Sequence, residues 1–339
     1  MREQVKIIAE AGVNHNGDVN LAKKLIDVAD ESGADYVKFQ TWVTEELIDL
    51  NAPKAEYQRK NDGDSSQFEM CKRLELSFDD FRALKEYCDG KRITFLSTPD
   101  EQISLDFLVD DLGLDIIKVG SGEITNLLYL AQIAKKKKDV ILSTGMSNLS
   151  EIERALEVLW SEGAASVKLL HCTSDYPADF DGVNLNAMNT MKEAFKVDVG
   201  YSDHTIGYEV SVAAVALGAS IIEKHFTLDR SMEGPDHRAS LEPLELKEFV
   251  EKIRNVEVAL TGSGRKVPTP AEIETKKIVM KGIYLDRDIK AGSILHERDL
   301  CFKRPVVQLG ADRFKDFVGK KMTKDMKKGE ALLLHNFVE

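Results

Sequence analysis

Apolar residues along this chain fall into short runs that close on small or polar residues. Eight recur: KIIAEAG (6–12), DYVKFQ (35–40), ITFLSTP (93–99), IIKVGSG (116–122), DVILSTG (139–145), SVKLLHC (166–172), DVGYSDH (198–204) and SIIEKHF (220–226). Runs of this length, rich in Val, Ile, Leu and Phe, have the pattern of strands buried on both faces. Between them the spacing turns helical. In VNLAKKLIDVADESG, Leu21, Leu25, Val28 and Ala29 share one stripe and Gly33 closes it. SFDDFRALKEYCDG opens on Ser77 with an acid three positions on, a capping box, and stops at Gly90. SEIERALEVLWSEG repeats the device with Ser150 and Glu153, and YEVSVAAVALGA and EPLELKEFVEKIRNVEVAL complete the set. Eight strand–helix units in roughly 260 residues predict an α/β fold, the (β/α)8 TIM barrel, over residues 1–262. Each run carries its chemically capable residues last, and in such barrels the C-terminal strand ends line the active site.

Two departures from that rhythm matter. Between Gln40 and Ser77 lie 36 residues, with the polar stretch RKNDGDSSQ. A connection of that length predicts a lid or a disordered segment. After Leu260, TGSGRKVPTPAE reads as a linker (263–280) leading to a small tail domain (281–339). The tail holds a near-repeat, DIKAGSIL (288–295) and DMKKGEAL (325–332), which predicts two turns followed by strands in a β-rich fold.

Charge and cysteine content narrow the function classes. With 46 basic and 58 acidic residues the net charge is −12, which argues against general nucleic-acid binding. Cys71, Cys88, Cys172 and Cys301 form no CxxC pair and read as free thiols in a reducing compartment. Residues 1–12 lack signal-peptide features, and no apolar run approaches the ~20 residues a membrane span needs. A soluble cytoplasmic protein acting on small molecules is the expectation.

The predicted strand ends assemble a constellation: Glu10, Lys38 and Gln40, Thr98, Lys118 with Ser121 and Glu123, Ser143, His171 or Cys172, Ser202 with His204, and His225. His204 and His225 fall on adjacent strands at matching depth, where two imidazoles plus water can hold a divalent ion. The bland alternative is a pair of rim histidines that only hydrogen-bond. Lys38 and Lys118 sit in otherwise apolar strands and need anions there. With the nearby hydroxyls they suit a phosphate and a carboxylate; ion pairing to Glu10 or Glu123 is the structural alternative. Glu10 can orient or deprotonate water. The run Lys135–Lys138 reads as a solvated helix C-terminus. GSGEIT and GSGR match no nucleotide fingerprint.

Taken in order, EAGVNHNGD (10–18), VKFQT (37–41), FLSTP (95–99), KVGSGEITN (118–126), LSTGMS (142–147), LHCTSDYP (170–177), GYSDHTIG (200–207) and EKHFTLDR…GPDHRAS (223–240) resemble the sialic acid synthase family, the nonulosonic acid synthases. The resemblance covers essentially the whole chain. The tail, through YLDRDIKAGSIL and FKRP, resembles the antifreeze-like (SAF) domain of those enzymes. It implies a phosphoenolpyruvate-dependent condensation with an N-acetylated hexosamine, N-acetylmannosamine or a 2,4-diacetamido analogue. The product is a nine-carbon 2-keto acid, with phosphate released. A divalent metal is implied on His204 and His225, manganese first, with magnesium or cobalt as alternatives. Phosphoenolpyruvate contacts map to Lys38, Thr98, Lys118, Ser121, Ser143 and Ser202; the catalytic carboxylate maps to Glu10. Sugar contacts map to Gln40, Glu123, Tyr176 and Asp236, and to Arg304 reaching from the tail of a partner in a domain-swapped homodimer. The chain departs from the family after that arginine, reading KRPVVQLGAD. The competing expectations are a related 3-deoxy-octulosonate or heptulosonate phosphate synthase, and a carbohydrate-binding barrel without turnover.

Overall fold

The computed structural model of the chain describes residues 3–63 and 65–337. Asp64, in the long second connection, and Val338 and Glu339, at the end of the expected tail domain, lie outside the described residues. The eight apolar runs form eight strands: β1 (Lys6–Gly12), β2 (Tyr36–Thr41), β3 (Thr94–Pro99), β4 (Ile116–Val119), β5 (Asp139–Ser143), β6 (Ser166–Cys172), β7 (Val199–Asp203) and β8 (Ile221–His225). Hydrogen-bonded neighbours are all parallel, in the order β3-β2-β1-β8-β7-β6-β5-β4. β3 and β4 lie against each other and close the barrel. Alternation then divides every strand between two environments. Ile8, Leu96, Ile141, Leu170 and Ile221 fill the lower interior. The opposite faces of the strands pack on the surrounding helices in one large apolar core.

Local chemistry sets the helix ends. The helix Val19–Ser32 starts at Asp18, whose side chain accepts from the Asn20 N–H, and ends at Gly33, with φ +79°. The Ser77–Asp80 capping box forms as expected. The second expected box does not. The helix Leu149–Ser161 starts earlier, because Asn148 accepts from the Ser150 and Glu151 amides and Glu151 returns a carboxylate to the Asn148 N–H. Ser150 therefore lies inside the first turn.

The connection between β2 and Ser77 is neither a structureless lid nor disordered over its described residues. It carries three helices, Thr44–Leu47, Glu56–Asp62 and Gln67–Leu74. The reason is a small core of its own: Val13, Trp42, Met70 and Leu74 bury together. Lys54, also buried, donates to Asp62 Oδ2 at 2.8 Å, to Ser65 Oγ at 2.7 Å and to the Asp62 and Gly63 carbonyls. Asn61 Nδ2 donates to the Pro235 carbonyl at 2.8 Å, tying the insertion to the loop that follows β8.

The chain divides into two compact units, Met1–Thr261 and Gly262–Glu339. In the second, the stretch expected as linker contains a helix, Pro270–Val279, capped by Thr269. β9 (Gly282–Leu285) and β10 (Leu300–Lys303) pair antiparallel. The near-repeat does not lead into two regular strands. Its halves face each other: Ile289 and Met326 exchange both backbone hydrogen bonds at 2.8 Å. Asp325 accepts from the Ala291 N–H, and Asp288 from the Lys328 N–H. Each half thus caps the other's turn, and Ile283, Leu285, Leu295, Phe317, Met322 and Leu332 form the core beneath them.

Candidate active site

At the C-terminal ends of the barrel strands, the inward positions above the apolar layer are polar. The register of β1 with β8 sets Ile8 beside Glu223 and Glu10 beside His225. β8 therefore presents Glu223 and His225 inward and Lys224 outward. Two buried lysines and two buried carboxyl groups alternate in a chain. Lys38 Nζ lies 2.8 Å from Glu10 Oε1 and 3.9 Å from Glu223 Oε1, and Lys118 Nζ lies 3.8 Å from Glu223 Oε2. Each ammonium also finds a hydroxyl: Lys38 donates to Thr98 Oγ1 at 3.2 Å and Lys118 to Ser143 Oγ at 2.7 Å. Ser202 donates to Glu223 Oε1 at 3.1 Å and lies 3.4 Å from His204 Nε2. Gln40 Nε2 donates to Glu10 Oε1 at 3.3 Å.

The two histidines share this mouth. Their ring centroids are 5.5 Å apart, and the Tyr176 ring lies tilted at 4.1 Å from His204 and edge-on at 5.7 Å from His225. His204 Nδ1 meets the Thr173 carbonyl at 2.6 Å, which requires a proton on Nδ1 and leaves Nε2 its lone pair. His225 Nδ1 is buried without a hydrogen bond, 3.8 Å from Asp236 Oδ2. Glu10 Oε2 and Glu223 Oε2 are likewise buried without a hydrogen bond. Gly12, at φ +51°, keeps a space clear among these groups. A β-carbon there would meet Glu10 Oε1 at 3.3 Å, His225 Cε1 at 3.6 Å and Asp236 Oδ2 at 3.7 Å.

Burial dominates the electrostatics. It pushes the Glu10 carboxyl up, to about 8, against the pull of Lys38. It works against the charge on Lys38, but Glu10 and Glu223 outweigh it and hold that ammonium above its ordinary value. Lys118 falls below its ordinary value through burial. Burial works against the Glu223 carboxylate too, yet Lys118 and Lys38 hold it below its usual range. Burial lowers His204 to about 4 and His225 well below an ordinary imidazole, so both are neutral near pH 7. It raises Asp236 to about 6 and Asp100 to about 7.

The remaining sequence-derived candidates are placed as follows. Ser121 Oγ accepts from the Gly145 N–H at 2.9 Å and touches Cys172 Sγ at 3.3 Å. Of the two possibilities on β6, Cys172 shares this inner contact, whereas His171 Nε2 bonds the Val183 carbonyl at 2.7 Å. Glu123 accepts from Asn126 Nδ2 at 2.8 Å and pairs with neither lysine. Tyr176, Gln40, His225 and Asp236 line a cavity of about 130 Å³. Arg304 lies exposed in the second unit, before Pro305. Lys135–Lys138 is less solvated than its composition suggests: Lys136 pairs with Asp106 and Asp110, both at 2.6 Å, and Lys138 with Asp115 at 2.7 Å.

Glu223 and Asp100 are missing from the sequence-derived site. Glu223 was accessible from alternation alone, two residues before His225. Asp100 follows β3 directly and lines the cavity, but no period marks a residue beyond a strand end.

The sequence pattern of the NeuB family matches residues 25–266, and that of the SAF domain matches residues 281–338. The N,N'-diacetyllegionaminic acid synthase of Campylobacter jejuni is 52% identical over 329 residues, 96% of this chain and 98% of that protein. The enzyme of the same name from Legionella pneumophila is 45% identical over 332 residues, 96% of this chain and 93% of that protein. The solved structure of an N-acetylneuraminic acid synthetase from Leptospira borgpetersenii superposes with a TM-score of 0.72 at 37% identity, covering 80% of this chain and 90% of that one. With eight parallel strands presenting this mouth and a matched tail, the chain belongs to the NeuB family and ends in a SAF domain.

Proposed function

We propose that this protein condenses phosphoenolpyruvate with an open-chain amino sugar bearing two acetamido groups, giving a nine-carbon 2-keto acid and inorganic phosphate. The observation that carries the reading is the buried chain Glu10–Lys38–Glu223–Lys118 beside two neutral imidazoles, with Glu10 Oε2, Glu223 Oε2 and His225 Nδ1 lacking hydrogen bonds. The similarity to two N,N'-diacetyllegionaminic acid synthases favours the diacetamido sugar over N-acetylmannosamine.

In this reading the carboxylate and phosphate of the donor take over the lysines. The hydroxyls of Thr98, Ser121, Ser143 and Ser202 supply hydrogen bonds to its oxygens. Its C3 forms a bond to the aldehyde carbon, and the aldehyde oxygen takes the proton of the Glu10 carboxyl. Water then adds at C2; Glu10 takes a proton from that water, and the adduct collapses to the ketone as phosphate leaves. A carboxyl held near 8 suits both halves of that exchange. Gln40, Tyr176 and Asp236 orient the sugar along the cavity, with Glu123 at the rim. The donor set fits a divalent cation. Both rings are neutral and one buried nitrogen is without a partner, although the described residues form no cluster of three or more protein ligands. His204 and His225 would hold the ion, with water or substrate completing its shell. A bound cation, manganese first and magnesium or cobalt as alternatives, supplies Lewis-acid polarisation of the aldehyde.

The test is phosphate release from phosphoenolpyruvate with the diacetamido sugar, N-acetylmannosamine and a phosphorylated sugar, under each metal and under chelation, with products weighed by mass spectrometry. Metal-dependent release with the unphosphorylated diacetamido sugar is expected. Preference for the phosphorylated sugar would favour an octulosonate- or heptulosonate-phosphate-type activity. Sugar binding without turnover would leave a carbohydrate-binding barrel.

A further inference from the structure

The cavity beside His225 has two unlike walls. Gln40, Tyr176, His225 and Asp236 make one polar. Val13, Trp42, Leu47, Met70 and Leu74 make the other, with Cys71 and Gln58 from the same insertion and Asp100 from the end of β3. The second wall offers a sugar little to bond to. The Trp42 indole N–H is already donated to Thr44 Oγ1 at 3.1 Å, so only its carbon faces remain. Burial pushes the Cys71 thiol up to about 11, so it stays uncharged.

A hydroxyl buried against such a wall loses its water without gaining a partner. A methyl is favoured there. Two polar side chains, Gln58 and Asp100, interrupt the apolar surface, and Gln58 Oε1 already accepts from the Ala55 N–H at 2.9 Å. The Asp100 backbone N–H is fixed to the Thr41 carbonyl at 3.0 Å, which holds the residue next to Trp42. No side chain among the described residues hydrogen-bonds its carboxyl group. An acceptor that lines the cavity together with Trp42, Met70 and Leu74 matches an amide N–H that carries a methyl beyond it. It does not match a polyhydroxyl chain.

We infer that this wall is the specificity pocket for the second acylamino group of the acceptor: Asp100 accepts its N–H, and Trp42, Met70, Cys71 and Leu74 enclose its methyl. The inference rests on the function proposed above and adds the residues that select the sugar. The insertion between β2 and Ser77 becomes the selectivity element. Its shape is held by Lys54 and by the Asn61–Pro235 hydrogen bond.

The experiment compares kcat/KM for the diacetamido sugar with kcat/KM for N-acetylmannosamine. Cys71→Met fills the pocket and Asp100→Leu removes the acceptor at similar size. Each should lower the ratio about tenfold or more, and Cys71→Ala, which leaves the space open, should shift it less than about twofold. Folded, active variants whose ratio is unmoved, or in which both sugars fall in parallel, overturn the inference and leave the condensation intact. A wild-type protein that turns over neither sugar overturns both. A measurement without mutation guards against misfolding. An acceptor whose second amino group is formylated keeps the N–H and lacks the methyl, and should be used about fourfold less well than its acetylated form. Equal use of the two refutes the pocket.

Discussion

Two buried lysine clusters occupy opposite faces of the same barrel wall, and they are finished differently. Lys224, on the outer face of β8, is 0% exposed and lies 3.4 Å from Asp203 Oδ2 and 2.5 Å from the Thr205 carbonyl. Asp203 in turn accepts from the Thr205 N–H at 2.9 Å, the Thr205 hydroxyl at 2.7 Å, the Ser211 hydroxyl at 2.6 Å and the Tyr201 hydroxyl at 3.4 Å. That cluster is closed. Inside the barrel, Lys38 and Lys118 face Glu10 and Glu223 at similar burial, yet one oxygen of each carboxylate has no hydrogen bond. Unpartnered buried polar atoms cost about 1–3 kcal/mol each. A fold that satisfies Asp203 fully and leaves its inner carboxylates short has the arrangement of a binding site. The outer cluster holds the β7–β8 edge together, whereas the inner one keeps acceptor oxygens free, and in the proposed reaction its lysines meet the donor's anionic groups.

Four experiments break or sharpen that contrast. The largest effect is expected at His225. His225→Ala should reduce metal-dependent turnover at least 1,000-fold, a magnitude typical of losing a preorganised catalytic group, while the melting temperature moves by only a few degrees. A variant with full activity removes the ligand assignment. Next comes the closed cluster. Lys224→Met leaves Asp203 buried without its cation and should cost about 3–5 kcal/mol in denaturant unfolding. Lys118→Met should cost less than half of that, since Glu223 keeps Lys38 and Ser202, but it should weaken phosphoenolpyruvate binding. Equal costs at the two lysines erase the distinction between closed and open. Third, Glu10→Gln should leave donor affinity nearly intact and slow phosphate release about 100-fold; an unchanged single-turnover rate assigns Glu10 to structure alone.

The smallest effect concerns pH. Burial raises Asp100 from 3.8 to about 7, so the folded protein holds a proton that the unfolded chain releases. Its stabilising contribution is complete below pH 3.8 and is lost as pH rises toward 7. The stability of the wild type relative to Asp100→Asn should therefore decline across that window, by about 2 kcal/mol once partial solvent exposure is allowed for. A flat difference, read by urea unfolding at several pH values, places Asp100 in a wetter setting than the cavity wall.

The strands were readable because burial of a parallel sheet is written locally, as runs of apolar residues with polar ends. The ladder Lys6–Gly12 needs no partner information to be recognised. Lys38 and Lys118 were readable as well, since a cation inside such a run has no cheap explanation. The start of the helix at Leu149 is not legible locally, because Ser150 and Asn148 both carry capping chemistry and only the backbone path selects Asn148. The connection after β2 looked polar enough to be loose. Its small core joins Val13 of one segment to Trp42 and to Met70 and Leu74 of others, and spacing within any one segment does not announce that meeting. Asp100 is illegible for the same reason: a lone acid after a strand end is ordinary until the fold sets it in one cavity with Trp42.

By itself the amino-acid sequence determined how many strand–helix units the chain has, their order, and the chemical types gathered at the strand ends. Those properties follow from nearest-neighbour periodicity and from the cost of placing polar groups in apolar runs. Tertiary structure decided what period-two alternation and barrel register do with the stretch Glu223–Lys224–His225: two side chains turn into the mouth, and the one between them is sealed outside against Asp203. It also decided which atoms remain without partners, because hydrogen bonding between segments more than a hundred residues apart depends on distances that no local pattern encodes.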